Sequence, residues 1–180
     1  MFDGNLLIKW YQLKESGQAP EAPDVECIDM TKKHRIAAGG ITFKDDSVLL
    51  VRYPEHRRRT YLVAPGGALE DSENIVQAII RETKEETNLV VQPKRVVIIE
   101  DIVCSKFKMC KIWMICDYIG GEICSTDEAK REGIVEAAWF TKSQLRGEVV
   151  FPQPLIHYDW DQLRSENWQV ECLPSRAADM

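Results

Sequence analysis

The sequence predicts an α/β domain: a mixed β-sheet with helices on both faces. Three observations predict it. Runs rich in β-branched and aromatic residues, bounded by turn residues, occur on both sides of residues 71–88. Residues 71–88 themselves repeat apolar side chains at helical spacing. An amphipathic stretch at residues 155–168 supplies a second helix near the end of the chain.

Taken in order, residues 1–34 read as an N-terminal extension of unclear structure. LLIKWYQL fits a short strand or a short helix, and SGQAPEAPD a Pro-rich connection. From Arg35 the pattern sharpens. IAAGGITF (36–43) and SVLLVRY (47–53) read as two strands joined by the turn KDDS, and HRRR leads into a third, TYLVAP (60–65). Pro65, Gly66 and Gly67 stop that strand. The helix follows, capped by Asp71 or Ser72, with Glu73 in the first turn where the dipole favours negative charge. Ile75, Ala78, Ile79 and Thr83, with Val76 at the margin, mark its buried face, and Glu82, Glu85 and Glu86 fall on the other side. Asn88 tolerates the left-handed conformation that ends helices, and Pro93 reinforces the stop.

Beyond it, VVIIEDIVC (96–104) and KIWMICDYIG (111–120) read as paired strands. GGEICSTDEAKREG is a long polar loop, IVEAAWF (134–140) the last strand and TKSQL a short helix. The domain therefore occupies residues 35–150, and residues 151–180 form a helical tail packing on it.

A chain of 180 residues can bury about 70% of its unfolded surface without disulfides or metals. The net charge of -6 speaks against general binding of nucleic-acid backbones, so phosphate chemistry here needs a metal or a local arginine cluster. No apolar run reaches the length of a membrane span, and MFDGNLLIKW lacks the layout of a secretion signal. Six cysteines without a C-x-x-C pair are expected as reduced, buried or half-buried thiols of a cytoplasmic protein, with Cys104, Cys110 and Cys116 on one strand face.

Glu82, Glu85 and Glu86 share about one helical turn, where like charges repel. Three carboxylates with no neighbouring histidine or cysteine make a hard, all-oxygen site, suited to Mg²⁺ or Mn²⁺ rather than zinc. Such ions commonly serve phosphate substrates. Gly66 and Gly67 allow a sharp turn whose backbone can approach a metal or ligand, and Arg81 can pair with Glu73 to fix that loop. Solvated helix faces also carry such glutamates.

The order of these residues is more specific. Gly67, five residues, Glu73, seven residues, then Arg81-Glu82-Thr83-Lys84-Glu85-Glu86-Thr87-Asn88-Leu89 resembles the signature of the Nudix hydrolases. Thr83 stands where an aliphatic residue is usual, and Asn88 replaces a glycine, a swap the left-handed backbone accepts. YLVAPGGALE and EAAWFTKSQL extend the resemblance to residues 35–146.

The resemblance implies an α/β/α sandwich and Mg²⁺-dependent (or Mn²⁺-dependent) hydrolysis of a small nucleotide, a nucleoside diphosphate linked to another group, by water attack on phosphorus. Carried over by position, Glu82, Glu85 and Glu86 are metal ligands, Glu73 and Arg81 organise the loop, and Gly67 offers a backbone oxygen or a close approach. The general base is a glutamate of this segment or an acidic residue on a distal loop: Glu128, Glu132 or Glu136. The first option is preferred, because the place three residues before Glu136 holds Gly133. Arg57, Arg58 and Arg59 are candidates for terminal phosphates, with a solvated loop as the other reading. Phe107 and Tyr53 are candidates to stack on a base, with ordinary packing as the other reading. Trp139 reads as core. Trp160, Trp168 and His157 are candidates to roof the pocket or line a homodimer interface. Subfamily markers for ADP-ribose, dinucleoside polyphosphate and NADH hydrolases are missing. Two alternatives stand beside this reading. Removal of pyrophosphate from RNA 5′ ends is disfavoured by the acidic balance. A non-catalytic Nudix-like binding domain predicts broken metal ligands, whereas all three glutamates are present.

Overall fold

The computed structural model describes residues 33–56 and 59–178. The N-terminal extension lies outside these, except for Lys33 and His34, which begin the first strand. The strands are β1 (Lys33–Lys44), β2 (Ser47–His56), β3 (Arg59–Val63), β4 (Val90–Val103), β5 (Phe107–Gly120), β6 (Glu136–Thr141), β7 (Val149–Phe151) and β8 (Glu171–Ala177). They form one mixed sheet in the order β7-β3-β2-β1-β5-β4-β8, with β6 along the other edge of β2. β1–β5, β3–β7 and β4–β8 are parallel, and the remaining pairs are antiparallel.

A split in this sheet positions the site. β1 meets β2 only through Phe43↔Val48 and Lys44↔Ser47, and from Val51 the partner of β2 is β3. β1 diverges, and its freed edge takes up residues 65–69. The Gly40 amide donates to the Pro65 carbonyl (2.9 Å), the Ala38 amide to the Gly67 carbonyl (2.9 Å) and the Leu69 amide to the Ile36 carbonyl (3.0 Å). The loop leaving β3 thus replaces a strand partner, which satisfies buried backbone groups and fixes the chain just before the helix.

That helix, α1 (Ile75–Thr87), packs Ala78 and Ile79 against Ala38, Met114 and Cys116 on one face of the sheet. Gly40 permits the close crossing, since a Cβ there would stand 2.9 Å from Ile79 Cγ2. The opposite face carries the larger core, where Ile41, Leu50, Leu62, Ile98 and Trp113 meet Leu155 and Leu163. Those leucines belong to α3 (Pro154–His157) and α4 (Trp160–Arg164). Helices this short are unstable alone. Leu155 and Leu163 are fully buried, and each contributes about 2 kcal/mol of apolar burial that holds them in place. The result is the expected α/β/α layering. A small helix, α2 (Asp127–Arg131), seats Ala129 against Val51 and Ile134.

Several local expectations are corrected. The cap of α1 is Asn74, whose side chain accepts from the Gln77 amide while Gln77 answers the Asn74 amide; Asp71 and Ser72 lie upstream in a turn. Glu82 and Glu86 are buried, while Val76 is exposed, because residues 65–67 cover the acidic side of the helix. β4 starts directly after the helix and runs through Pro93, accommodating it beside a register shift between Pro93 and Arg95. The polar loop contains α2, started by Thr126 capping the Ala129 amide. TKSQL forms turns instead of a helix. The tail is not one amphipathic helix: Tyr158 is extended, Asp159 restarts the chain by capping Asp161 and Gln162, and β8 follows. Trp160 and Trp168 pack against the core below these helices, with indole donors on the Leu155 and Val97 carbonyls. Trp139 is half-buried, edge-on to Tyr118. Cys110, Cys124 and Cys172 are exposed thiols, not buried ones.

Candidate active site

The turn at residues 65–67 places two glycines against the inner side of α1. Gly66 has φ +148°, and a Cβ there would sit 2.2 Å from the Ala38 carbonyl oxygen, so a side chain is excluded. Its amide donates to Glu86 Oε2 at 3.0 Å, and its carbonyl accepts from Lys111 Nζ at 3.1 Å. At Gly67 a Cβ would meet Glu82 Oε1 at 2.3 Å. Both buried glutamates are therefore shaped by backbone that only glycine allows to come so near.

Arg81 ties the start of this segment to its end. Its Nη2 donates to Glu73 Oε1 (2.6 Å) and Nε to Glu73 Oε2 (3.0 Å), a two-pronged pair. Nη1 donates to Glu82 Oε1 (2.9 Å) and Glu85 Oε2 (2.9 Å), and Nη2 also reaches the Ala68 carbonyl (3.3 Å). The hydrogen bonds donated by Arg81 lower the Glu73 pKa, and the same bonds, accepted by Glu73, are the first cause that raises that of Arg81. Glu85 shares the Arg81 Nη1 with Glu82 and is not among the three carboxylates that converge on one point.

The third partner comes from the far side of the chain. Glu82, Glu86 and Glu132 each present a carboxylate oxygen, and these atoms lie within 4.8 Å of one another. Glu132 follows α2 and is the exposed member of the group. The Tyr53 hydroxyl stands between the two walls, 3.2 Å from Glu86 Oε1 and 3.4 Å from Glu132 Oε2. Burial raises the pKa of both Glu86 and Glu82; the charges of Lys111 and Arg81, respectively, oppose it. Burial, then the neighbouring Glu86 charge, also raises the Tyr53 pKa, so Tyr53 is a neutral donor. Three converging oxygens from carboxylates, two of them desolvated, fit a hard divalent cation. Such an ion would offset the burial, and after it the mutual repulsion, that otherwise favour protonation.

The remaining predicted residues separate cleanly. Arg57 and Arg58 lie outside the described residues, and Arg59 is placed only as the first residue of β3. Tyr53 stacks on Tyr61 (5.2 Å between centroids, 12° between planes), which occupies one face of its ring. Phe107 begins β5 and carries the Arg35 guanidinium 4.6 Å over its ring. Glu128 pairs with Arg131, and Glu136 with Arg52 at 2.7 Å, so neither joins the cluster. Lys111 and Glu100, both buried, were not singled out from sequence. Their signal is a charge at the end of an apolar strand run, Lys111 opening KIWMIC and Glu100 closing VVIIE, and the two stand opposite each other in the β4–β5 register.

A family model described as the NUDIX domain matches residues 33–160, and the chain belongs to the Nudix family. Over 115 residues it is 31% identical to the ADP-ribose pyrophosphatase of Methanocaldococcus jannaschii, a match covering 61% of this chain and 63% of that one. Over 116 residues it is 29% identical to a human 8-oxo-dGDP phosphatase, covering 64% of this chain and 33% of that one. The matches thus span less than two thirds of either relative. Among solved structures, a NUDIX hydrolase from Nitrosomonas europaea superposes with a TM-score of 0.56 at 25% identity, covering 71% of this chain and 83% of that one. No helix among the described residues is long and apolar enough to cross a membrane.

Proposed function

We propose that this protein is a Mg²⁺-dependent pyrophosphohydrolase acting on a small nucleotide that contains a nucleoside diphosphate, with Mn²⁺ as an alternative ion. The observation that carries the reading is the convergence of Glu82, Glu86 and Glu132 beside the Gly66-Gly67 turn. Bound there, the ion supplies Lewis-acid polarisation of a phosphoryl oxygen and a more acidic water. Glu82 and Glu86 are the buried carboxylates that hold it. Glu132, open to solvent, takes the proton of the attacking water. Tyr53 keeps Glu132 facing Glu86, and Arg81 with Glu73 holds the loop that shapes Glu82. Glu85 acts through Arg81. This moves the general base from the preferred glutamates of α1 to the distal position.

Two relatives, by their names, act on ADP-ribose and on 8-oxo-dGDP. Both compounds carry a nucleoside diphosphate, which supports that substrate class. Exposed thiols at Cys110, Cys124 and Cys172 suit a reducing compartment and support a cytoplasmic location. The test is a hydrolysis screen with Mg²⁺ over ADP-ribose, 8-oxo-dGDP, nucleoside triphosphates, nucleotide sugars and dinucleoside polyphosphates, with product identification. The expected product is a nucleoside monophosphate, formed with Mg²⁺ and not with EDTA. Folded protein that turns over none of them overturns the proposal.

A further inference from the structure

Strand β8 (Glu171–Ala177) lies beyond the stretch matched by the family model, residues 33–160, yet it delivers a charge to the floor of the site. Arg176 Nε donates to Glu100 Oε1. Glu100 is 1% exposed, and its other oxygen accepts from Trp113 Nε1 at 3.1 Å. Across the β4–β5 register Glu100 faces Lys111, whose Nζ lies 4.4 Å from the Trp113 ring centroid. The same Nζ donates to the Gly66 carbonyl at 3.1 Å, and the Gly66 amide donates to Glu86 Oε2 at 3.0 Å. A series of hydrogen bonds therefore runs from β8 to a carboxylate of the cluster, linked in its middle by the facing charges of Glu100 and Lys111.

We propose that Arg176 is a positioning residue for the metal-binding carboxylates: it satisfies Glu100, which leaves Lys111 on the Gly66 carbonyl and the Gly66 amide on Glu86. This rests on the reading of the buried Glu82 and Glu86 as the carboxylates that hold a divalent cation.

The physical reason is competition for one buried ammonium. With Arg176 removed, Glu100 keeps only the Trp113 indole, and an uncompensated buried carboxylate is strongly unfavourable. Lys111 is the cation opposite it, on a flexible stem, and turns toward it. The Gly66 carbonyl then loses its ammonium donor. The Pro65 and Gly67 carbonyls keep the turn on β1, so what loosens is the Gly66–Gly67 stretch between them, which packs against Glu82 on one side and meets Glu86 through the Gly66 amide on the other.

Mn²⁺ binding to the full chain, measured by calorimetry, tests this with Arg176→Met, Arg176→Lys, Ser175→Ala and Glu86→Gln. Methionine keeps apolar contact with Phe151, whose ring centroid lies 4.2 Å from the Arg176 guanidinium. R176M is expected to bind Mn²⁺ about tenfold more weakly, the scale found when outer partners of metal ligands are removed. R176K recovers part of the loss. S175A removes another β8–β4 contact, Ser175 Oγ to Asp101 Oδ2 at 2.8 Å, without touching Glu100, and leaves Mn²⁺ affinity unchanged. Wild-type affinity in R176M overturns the inference. Equal weakening in S175A also overturns it, by assigning the effect to the whole seam. If R176M does not fold, R176K carries the test: reduced affinity supports the inference, and wild-type affinity overturns it. Unchanged Mn²⁺ binding in E86Q is a separate result that removes the metal-site reading itself.

Discussion

Glu86 and Glu132 meet across one hydroxyl: Tyr53 Oη lies 3.2 Å from Glu86 Oε1 and 3.4 Å from Glu132 Oε2. Glu86 belongs to α1 and Glu132 to the end of the α2 turn, so Tyr53 on β2 joins two parts of the site that share no covalent neighbourhood. Tyr53→Phe keeps the ring stacked on Tyr61 and removes the hydroxyl alone. The expected outcome is a kcat lowered about tenfold at unchanged KM, the scale of one hydrogen bond to a charged group. A raised KM with unchanged kcat would instead place the hydroxyl on the substrate.

The two glycines make different predictions. At Gly67 an added methyl meets the flexible end of Glu82, at 2.3 Å, so Gly67→Ala displaces a carboxylate while leaving the fold. Mg²⁺ activation shifts to about tenfold higher concentration, with a melting temperature close to wild type. At Gly66 the methyl meets backbone, the Ala38 carbonyl oxygen, at a positive φ. Gly66→Ala therefore lowers the melting temperature markedly. Melting curves and metal titrations of the two variants check both statements.

Burial raises the Glu86 and Glu82 carboxyls above their ordinary value of 4.5. A carboxyl whose folded pKa exceeds its unfolded one binds more protons when folded. It follows that the metal-free protein loses stability as pH rises above the ordinary carboxylate range and through the raised one. Mg²⁺ competes with those protons, so it stabilises more at about pH 7 than at about pH 5. Melting temperatures with EDTA and with Mg²⁺ at both values measure the difference. Equal Mg²⁺ increments at the two pH values contradict this electrostatic account.

Glu85 and Glu132 are the pair whose roles differ most between sequence and structure. Glu85 spends an oxygen on Arg81 at 2.9 Å, whereas Glu132 stands in the carboxylate cluster. Glu132→Gln is expected to lower kcat by about 10²–10³ at saturating Mg²⁺, within the range for a lost general base. Glu85→Gln should cost roughly tenfold or less, through a loosened Arg81. Single-turnover rates of both variants check the order, and a larger loss for E85Q would restore the base to α1.

Much of this arrangement was legible in local sequence, because local spacing determines it. The distance from Gly67 to Glu73 and on to Arg81 is a property of one loop and one helix, and so the Arg81–Glu73 pair follows from it. Burial of Glu82 and Glu86 was not legible, since it depends on β1 parting from β2 and accepting residues 65–69. The selection of Glu132 over Glu128 and Glu136 depends on which acids meet an arginine first, and Arg131 and Arg52 are placed by tertiary structure. The tail departs from its sequence pattern for a simpler reason. Its apolar periodicity spans Tyr158 and Asp159, but Asp159 caps a new helix instead of continuing the old one. Nothing local announces that ECLPSRA will pair with β4 and place Arg176 on Glu100.

The central claim is that a divalent ion held by the buried glutamates drives pyrophosphate hydrolysis. Its most direct test is Mg²⁺-dependent turnover of ADP-ribose and 8-oxo-dGDP by wild type and Glu86→Gln, with circular dichroism confirming that both are folded. The account predicts nucleoside monophosphate from at least one substrate with wild type, and a kcat lower by at least about 10³ in E86Q even at saturating Mg²⁺. Wild-type turnover by a folded E86Q protein would contradict it.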